Sequence, residues 1–242
     1  MTRGSVNAIV DDLAAERMHA VATDVDEAPL PAPPRDVLLP GLTQTSRYAM
    51  LYDWYQRTPD LHAFVPDFHR LQLEYWIWTH RARLGAADVV IDVGVESPRR
   101  WIGVGYRTVG LDDQADVSAD LCALPFAPQT VDAAIVTEVL EHCLDPVAAV
   151  RELFRVIRPG GLALVTSPFL WPWHGRRHYG DYWRFTAEGW RVLFRDWASI
   201  RVLACRWTDE GAALYDLLRR FECFGFASLT RAATGYFCEV TR

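Results

Sequence analysis

From Ala87 onward, short apolar runs alternate with stretches of helical spacing. Asp88-Val89-Val90-Ile91-Asp92-Val93 reads as a buried strand ended by Gly94, and Arg107 to Leu111 as a second strand ended by Asp112. Asp116 to Asp120 gives a short third strand, Val131 to Thr137 a fourth, and Leu162 to Thr166 a fifth. Between the last two, Asp145-Pro146 opens a helix, because Asp is a good N-cap and Pro is favoured at the first helical position. Val147, Val150, Leu153, Phe154 and Ile157 form its apolar stripe, and Pro159-Gly160-Gly161 stops it. Thr186 caps a helix carrying Trp190, Val192 and Leu193. Strand-like segments at Ile200 to Ala204 and Tyr236 to Val240 flank a helical segment at Ala212 to Phe221. Strands alternating with helices predict an α/β domain over 86–242, with a mostly parallel central sheet covered by helices on both faces.

The N-terminal third reads differently. Asn7 to Ala20 carries Ile9, Val10, Leu13 and Ala14 at helical spacing. Glu27 to Pro34 is too rich in proline for a helix or a central strand. Residues 1–45 therefore read as a partly extended arm. Residues 46–85 read as a helical extension broken near Pro59 and Pro66, with Tyr48, Leu51, Tyr52 and Tyr55 on one face. Phe68, Leu71, Leu73, Tyr75, Trp76 and Trp78 thicken its second half. This extension packs on the main domain, caps a ligand site, or pairs two subunits in a homodimer.

Composition narrows the partners. The chain has 242 residues and a formal net charge of −6, which speaks against nucleic acid, since phosphate binding leans on clustered Lys and Arg. Arg99-Arg100 and Arg176-Arg177 are too short for a backbone-tracking groove and read as solvated faces. The five cysteines are scattered without a C-x-x-C, so neither a disulfide framework nor a zinc site is expected, and no metal is assigned. No apolar stretch is long enough to span a membrane, and no signal peptide is visible. A cytoplasmic location is expected. Ten tryptophans are many, and Trp171, Trp173 and Trp183 fall close together.

In open parallel sheets, ligands bind outside the carboxyl ends of the strands. Asp92, Asp112 and Asp120 all stand at such ends, and the first two lie twenty positions apart. That spacing suits a nucleotide-type ligand whose ribose hydroxyls need a carboxylate. The same residues carry a resemblance. Asp92-Val93-Gly94, Asp112 and Ala119-Asp120-Leu121-Cys122-Ala123-Leu124-Pro125-Phe126 resemble class I S-adenosylmethionine-dependent methyltransferases. So do Thr130 to Val136, Glu138-Val139-Leu140-Glu141-His142, and Arg155 to Gly161, in that order. The resemblance is to the type 11, small-molecule branch, and implies a Rossmann-like methyltransferase fold with S-adenosylmethionine as cofactor. It implies that Gly94 admits the cofactor's methionine part, that Asp92 orients it through its ammonium or a water, and that Thr137 and Glu138 line it. Asp112 would accept from both ribose hydroxyls. Asp120 would meet the adenine amino group, with the Leu121 amide at the ring. One departure stands out: the family's G-x-G-x-G loop is Gly94-Val95-Glu96-Ser97-Pro98 here. A relaxed loop of this kind accompanies, in one branch, a His-x-x-Asp-Tyr-x-Arg-Phe-Thr segment, which this chain has as His178 to Thr186.

The segment after the fifth strand is the candidate acceptor region. Trp173, His174, His178, Asp181, Tyr182 and Arg184 combine aromatic walls with a few polar groups, as small-molecule pockets do. Asp181 and Arg184 either serve that pocket or pair with each other and fix the loop. Methyl transfer from a sulfonium needs positioning more than proton chemistry. Where a base is required, His178 and His142 are the candidates. Three functions stay open: a methyltransferase acting on a small-molecule acceptor such as a secondary metabolite or sugar, a protein of this fold that binds the cofactor or a partner without methylating, and a macromolecule methyltransferase.

Overall fold

Strand faces repeat every two residues, and the two apolar sets along each strand need two different partners. The computed structural model describes residues 51, 53–58, 68–94, 98–169, 171–176, 179–205 and 235–242. Among them, the helices are α1 (51–57, described except at 52), α2 (Phe68–Thr79), α3 (Arg81–Gly85), α4 (Pro146–Val156) and α5 (Ala187–Leu193). The strands are β1 (Val90–Val93), β2 (Tyr106–Gly110), β3 (Val117–Ser118), β4 (Val131–Thr137), β5 (Ile157–Pro168), β6 (Ser199–Cys205) and β7 (Gly235–Thr241). They form one sheet in the order β3-β2-β1-β4-β5-β7-β6. The first five strands pair in parallel, and β7 lies antiparallel to both β5 and β6.

Ile91, Val93, Val109, Val136, Val165 and Cys238 face one core, which α4 fills with Val150, Leu153 and Val156 and α5 with Trp190. Val90, Tyr106, Ile135, Leu164 and Phe237 face the other, filled by Leu73, Trp76 and Ile77 of α2 and Leu84 of α3. Trp76 stacks on Phe237 with ring centroids 5.1 Å apart. The described second half of the expected helical extension is thus a covering layer of the sheet. Outside it, Leu51, Trp54 and Tyr55 pack on Leu71 and Tyr75.

Helix α4 starts as its sequence predicts: the Asp145 side chain accepts from the Ala148 amide at 2.9 Å, with Pro146 in the first turn. Its end differs. The helix closes at Val156, and Ile157 is the first residue of β5, which runs through Pro159-Gly160-Gly161. The glycines sit inside β5, where its pairing with β4 shifts register between Val131 and Ala133. The buried stripe is Pro146, Ala149, Val150, Leu153 and Val156, while Val147 lies one step round and is exposed. Val192 of α5 is exposed for the same reason. The predicted helices at Asn7 to Ala20 and Ala212 to Phe221, the proline-rich arm, and the breaks near Pro59 and Pro66 lie outside the described residues.

Candidate functional site

Parallel pairing brings the carboxyl ends of β1 to β5 to one edge. Gly94 follows β1 with its amide donating to the Val109 carbonyl at 2.9 Å. Its φ is +71°, and a Cβ there would stand 2.5 Å from Val139 Cγ2, in the loop after β4. Glycine is required on both counts. Asp112 and Asp120, after β2 and β3, are exposed. Asp112 Oδ1 accepts from the Gln114 and Ala115 amides at 3.1 and 3.2 Å, while its Oδ2 accepts no hydrogen bond among the described residues. A fixed carboxylate with one open oxygen fits a ligand rich in hydroxyls. Asp120 Oδ1 takes the Cys122 amide at 2.8 Å, and Leu121 is buried behind it. Thr137 ends β4 in the core. Glu138, with φ +57°, accepts from Thr166 Oγ1 at 2.7 Å.

Asp92 stands inside β1 and is held by protein partners. Its side chain points into the α2 side of the sheet and is fully buried. Arg99 Nη1 reaches its two oxygens at 2.9 and 2.7 Å, and the Tyr106 hydroxyl donates to Oδ2 at 2.6 Å. Arg99 continues to Glu74 of α2 through Nε at 2.9 Å and Nη2 at 2.7 Å. The Arg99 amide in turn donates to the Tyr106 hydroxyl at 2.8 Å. Burial pushes the Asp92 carboxyl up, against the pull of Arg99 and Tyr106, and the two carboxylates hold the Arg99 guanidinium above its ordinary value. Arg99 is 2% exposed, so only Arg100 of that pair is a surface residue, bound to Asp116 at 2.8 Å. The sequence reading missed Arg99, Glu74 and Tyr106. A buried Asp seven residues before an Arg was the available signal. Val95, Glu96 and Ser97 of the intervening loop lie outside the described residues.

On the β4–β5 side, a short 3-10 turn (Leu140–His142) carries Glu141 and His142. Glu141 is 0% exposed, and burial and neighbouring Glu138 push its carboxyl well above the usual range. His142 Nδ1 sits 2.5 Å from the Gly180 carbonyl, and burial lowers the affinity of the ring for a second proton. The segment after β5 folds onto this turn: the Tyr182 amide donates to the Glu141 carbonyl at 2.8 Å, and Trp183 Nε1 to the Cys143 carbonyl at 2.8 Å. Asp181 binds Arg184 at 2.5 and 2.7 Å, and accepts from the His174 amide at 3.0 Å. Arg184 holds the Asp181 carboxyl far below the usual carboxylate range. These two residues therefore fix the loop. Trp173, Tyr182 and Trp183 point outward, Trp173 with 75% of its surface exposed. His178 lies outside the described residues. Glu141 was quoted within its motif but given no role in the sequence reading.

A mostly parallel sheet with the final strand inserted antiparallel, acidic strand ends and a glycine after β1 defines a Rossmann-like methyltransferase fold. A methyltransferase-domain family model matches residues 105–165. A probable S-adenosylmethionine-dependent methyltransferase of Mycolicibacterium smegmatis is 35% identical over 95 residues, which are 34% of this chain and 33% of that protein. A demethylmenaquinone methyltransferase of Mycobacterium marinum is 30% identical over 158 residues, 58% of this chain and 63% of that one. An S-adenosylmethionine-dependent methyltransferase structure from Mesorhizobium loti aligns with a TM-score of 0.46 at 15% identity, covering 68% of this chain and 97% of that one. The chain spans about a third of the length of the first of these relatives. In sequence the chain is thus similar to S-adenosylmethionine-dependent methyltransferases over 105–165 and its flanks. No helix among the described residues is long and apolar enough to cross a membrane.

Proposed function

We propose that the protein transfers a methyl group from S-adenosylmethionine to a small-molecule acceptor, a secondary metabolite or sugar-like compound. The observation that carries the reading is the shared edge: Gly94, exposed Asp112, exposed Asp120 and Glu138 follow four strands of one parallel sheet. When bound, the cofactor supplies a methyl on a cationic sulfur, an electrophile for direct displacement. Asp112 accepts from the ribose hydroxyls through its open oxygen. Asp120 meets the adenine amino group, with the Leu121 amide at the ring. Gly94, Thr137 and Glu138 surround the methionine part. Asp92 serves as a positioning residue: its buried bonds to Arg99 and Tyr106 anchor the far end of the loop that begins at Gly94.

The acceptor lies against the loop after β5, between the aromatic rim of Trp173, Tyr182 and Trp183 and the polar pair His142 and His174. Burial favours the neutral form of His142, and its Nδ1 donates to a carbonyl, so Nε2 holds a lone pair that can take a proton from an acceptor hydroxyl only while no cation occupies it. His178 is the second candidate base. Free Cys122, Cys143 and Cys238 accord with a reducing cytoplasm. The quinone-pathway names of some relatives are consistent with an acceptor that stacks on aromatic side chains. A second reading, cofactor binding without methyl transfer, draws on the single glycine in the Gly94 to Pro98 loop.

Calorimetry with S-adenosylmethionine and its demethylated product is the test. Wild type binds both. Asp112→Ala weakens binding by about ten- to a hundredfold, because hydrogen bonds to a charged acceptor contribute roughly 1.5–3 kcal/mol. Failure of wild type to bind either compound rejects methyl transfer. Binding without turnover over a panel of hydroxylated aromatics and sugars favours the second reading.

A further inference from the structure

Glu141 is fully buried, and neither of its oxygens accepts a hydrogen bond among the described residues. Buried carboxylates are paired, hydrogen-bonded or bound to metal. Two imidazoles face this one. His142 Nε2 lies 3.7 Å from Glu141 Oε1, and His174 Nε2 lies 3.9 Å from it. All three atoms fall within 4.8 Å of one another. The far side of each ring settles which nitrogen carries the proton. His142 Nδ1 meets the Gly180 carbonyl at 2.5 Å. His174 Nδ1 meets Asp181 Oδ2 at 3.1 Å and the Pro172 carbonyl at 3.2 Å. Those partners only accept, so both Nδ1 atoms donate, and each ring, when it carries a single proton, turns a lone pair on Nε2 toward Glu141. Three lone-pair atoms converge, and the proton that burial favours on the Glu141 carboxyl is the one a bound cation would replace.

We propose that Glu141, His142 and His174 bind one divalent first-row transition-metal ion, with zinc the best match to two imidazoles and a carboxylate. Metal-binding histidines are typically oriented by a carbonyl or carboxylate on the other ring nitrogen, as both of these are. In a tetrahedral site with bonds of about 2.1 Å, ligand atoms stand about 3.4 Å apart, so the two contacts to Glu141 need to close by a few tenths of an ångström, and the two imidazoles, within 4.8 Å of each other, by at most about 1.4 Å. The His174 side chain is partly exposed, which gives the ion a way in. Three protein ligands leave a coordination position for water or an acceptor oxygen. The ion also clasps the acceptor loop, which brings His174, to the turn after β4, which brings the other two. The cysteine pattern bears only on thiolate sites, and this one uses none.

The proposal does not depend on methyl transfer, and its probe is the metal alone. Tag-free protein is stripped with a chelator, dialysed and titrated with zinc, then with cobalt(II), which reports coordination through its visible absorption. Wild type takes up one equivalent per chain and develops a cobalt band. Glu141→Gln and His174→Ala each lower affinity more than tenfold and lose the band. Asp181→Asn, which touches the ion only through His174, lowers it by about ten- to a hundredfold. Asp112→Ala, in the cofactor pocket, binds metal as wild type does. Absence of the band in wild type, or equal uptake by folded His174→Ala protein, overturns the proposal. His174 is partly exposed, so that variant keeps the test open if Glu141→Gln does not fold.

Discussion

Asp92 and Glu141 are both fully buried, one in β1 and the other just beyond the end of its neighbour β4. Asp92 accepts from Arg99 and Tyr106, and Arg99 is shared with Glu74. Glu141 accepts nothing among the described residues. The first arrangement joins the sheet, the loop after β1 and helix α2 into one ionic unit that stabilises the fold. The second leaves a charge-bearing group without a partner, which a fold retains at a site of action more readily than in a scaffold. The same residue class at the same depth thus has opposite meanings, and the difference lies in which long-range neighbours arrive.

The comparison breaks most visibly at Arg99. Arg99→Ala strands two carboxylates, and unfolding in urea should show a loss of about 3–5 kcal/mol, the usual penalty for removing one partner of a buried ion pair. A loss under about 1 kcal/mol would mean the network relaxes to solvent. Gly94→Ala comes next. A positive φ and the 2.5 Å approach to Val139 should cost about 1–3 kcal/mol, and cofactor affinity should fall along with stability. Glu141→Gln sharpens the contrast by its sign. In metal-free protein it should change stability by less than about 1 kcal/mol, since burial already favours the neutral carboxyl and neither oxygen has a hydrogen bond to lose. A drop like that of Arg99→Ala would put both carboxylates in one class.

The smallest effect concerns the thiols beside Glu141. Burial pushes Cys122 up to about 11 and Cys143 up to about 12. Thiolate is the reactive form, so at pH 8 iodoacetamide should modify either on the order of tenfold more slowly than free cysteine. The rate should climb about tenfold per pH unit from 8 to 10, as the thiolate fraction grows. Fast labelling at pH 8 would show that the turn after β4 opens to solvent.

The fold was legible because it repeats: β1, β4 and the middle of β5 are runs of apolar residues, and Asp145-Pro146 and Thr186 are local helix-start signals. The misplacements were local as well. Val147 and Ile157 were counted on a helical stripe because sequence spacing cannot tell where a helix yields to a strand. The exposed strand ends were legible for the same reason as the strands themselves. The Arg99 network was not, because Arg99-Arg100 looks like a solvated pair until Glu74 on α2 and Tyr106 on β2 close over one member of it. Likewise His142 and His174 meet only because two loops lie on the same edge, a fact about strand order that no local spacing carries.

The acceptor loop is sewn to the turn after β4 largely through main-chain carbonyls: those of Glu141, Cys143 and Gly180 take bonds from Tyr182, Trp183 and His142. None of these three bonds uses the side chain of Trp173 or Tyr182. Trp173 and Tyr182 can therefore be exchanged without undoing the seam, so the rim is a place where new acceptors can be tried at little cost to the fold. On the proposed function, a library varied at those two positions should shift acceptor selectivity while the seam keeps its shape.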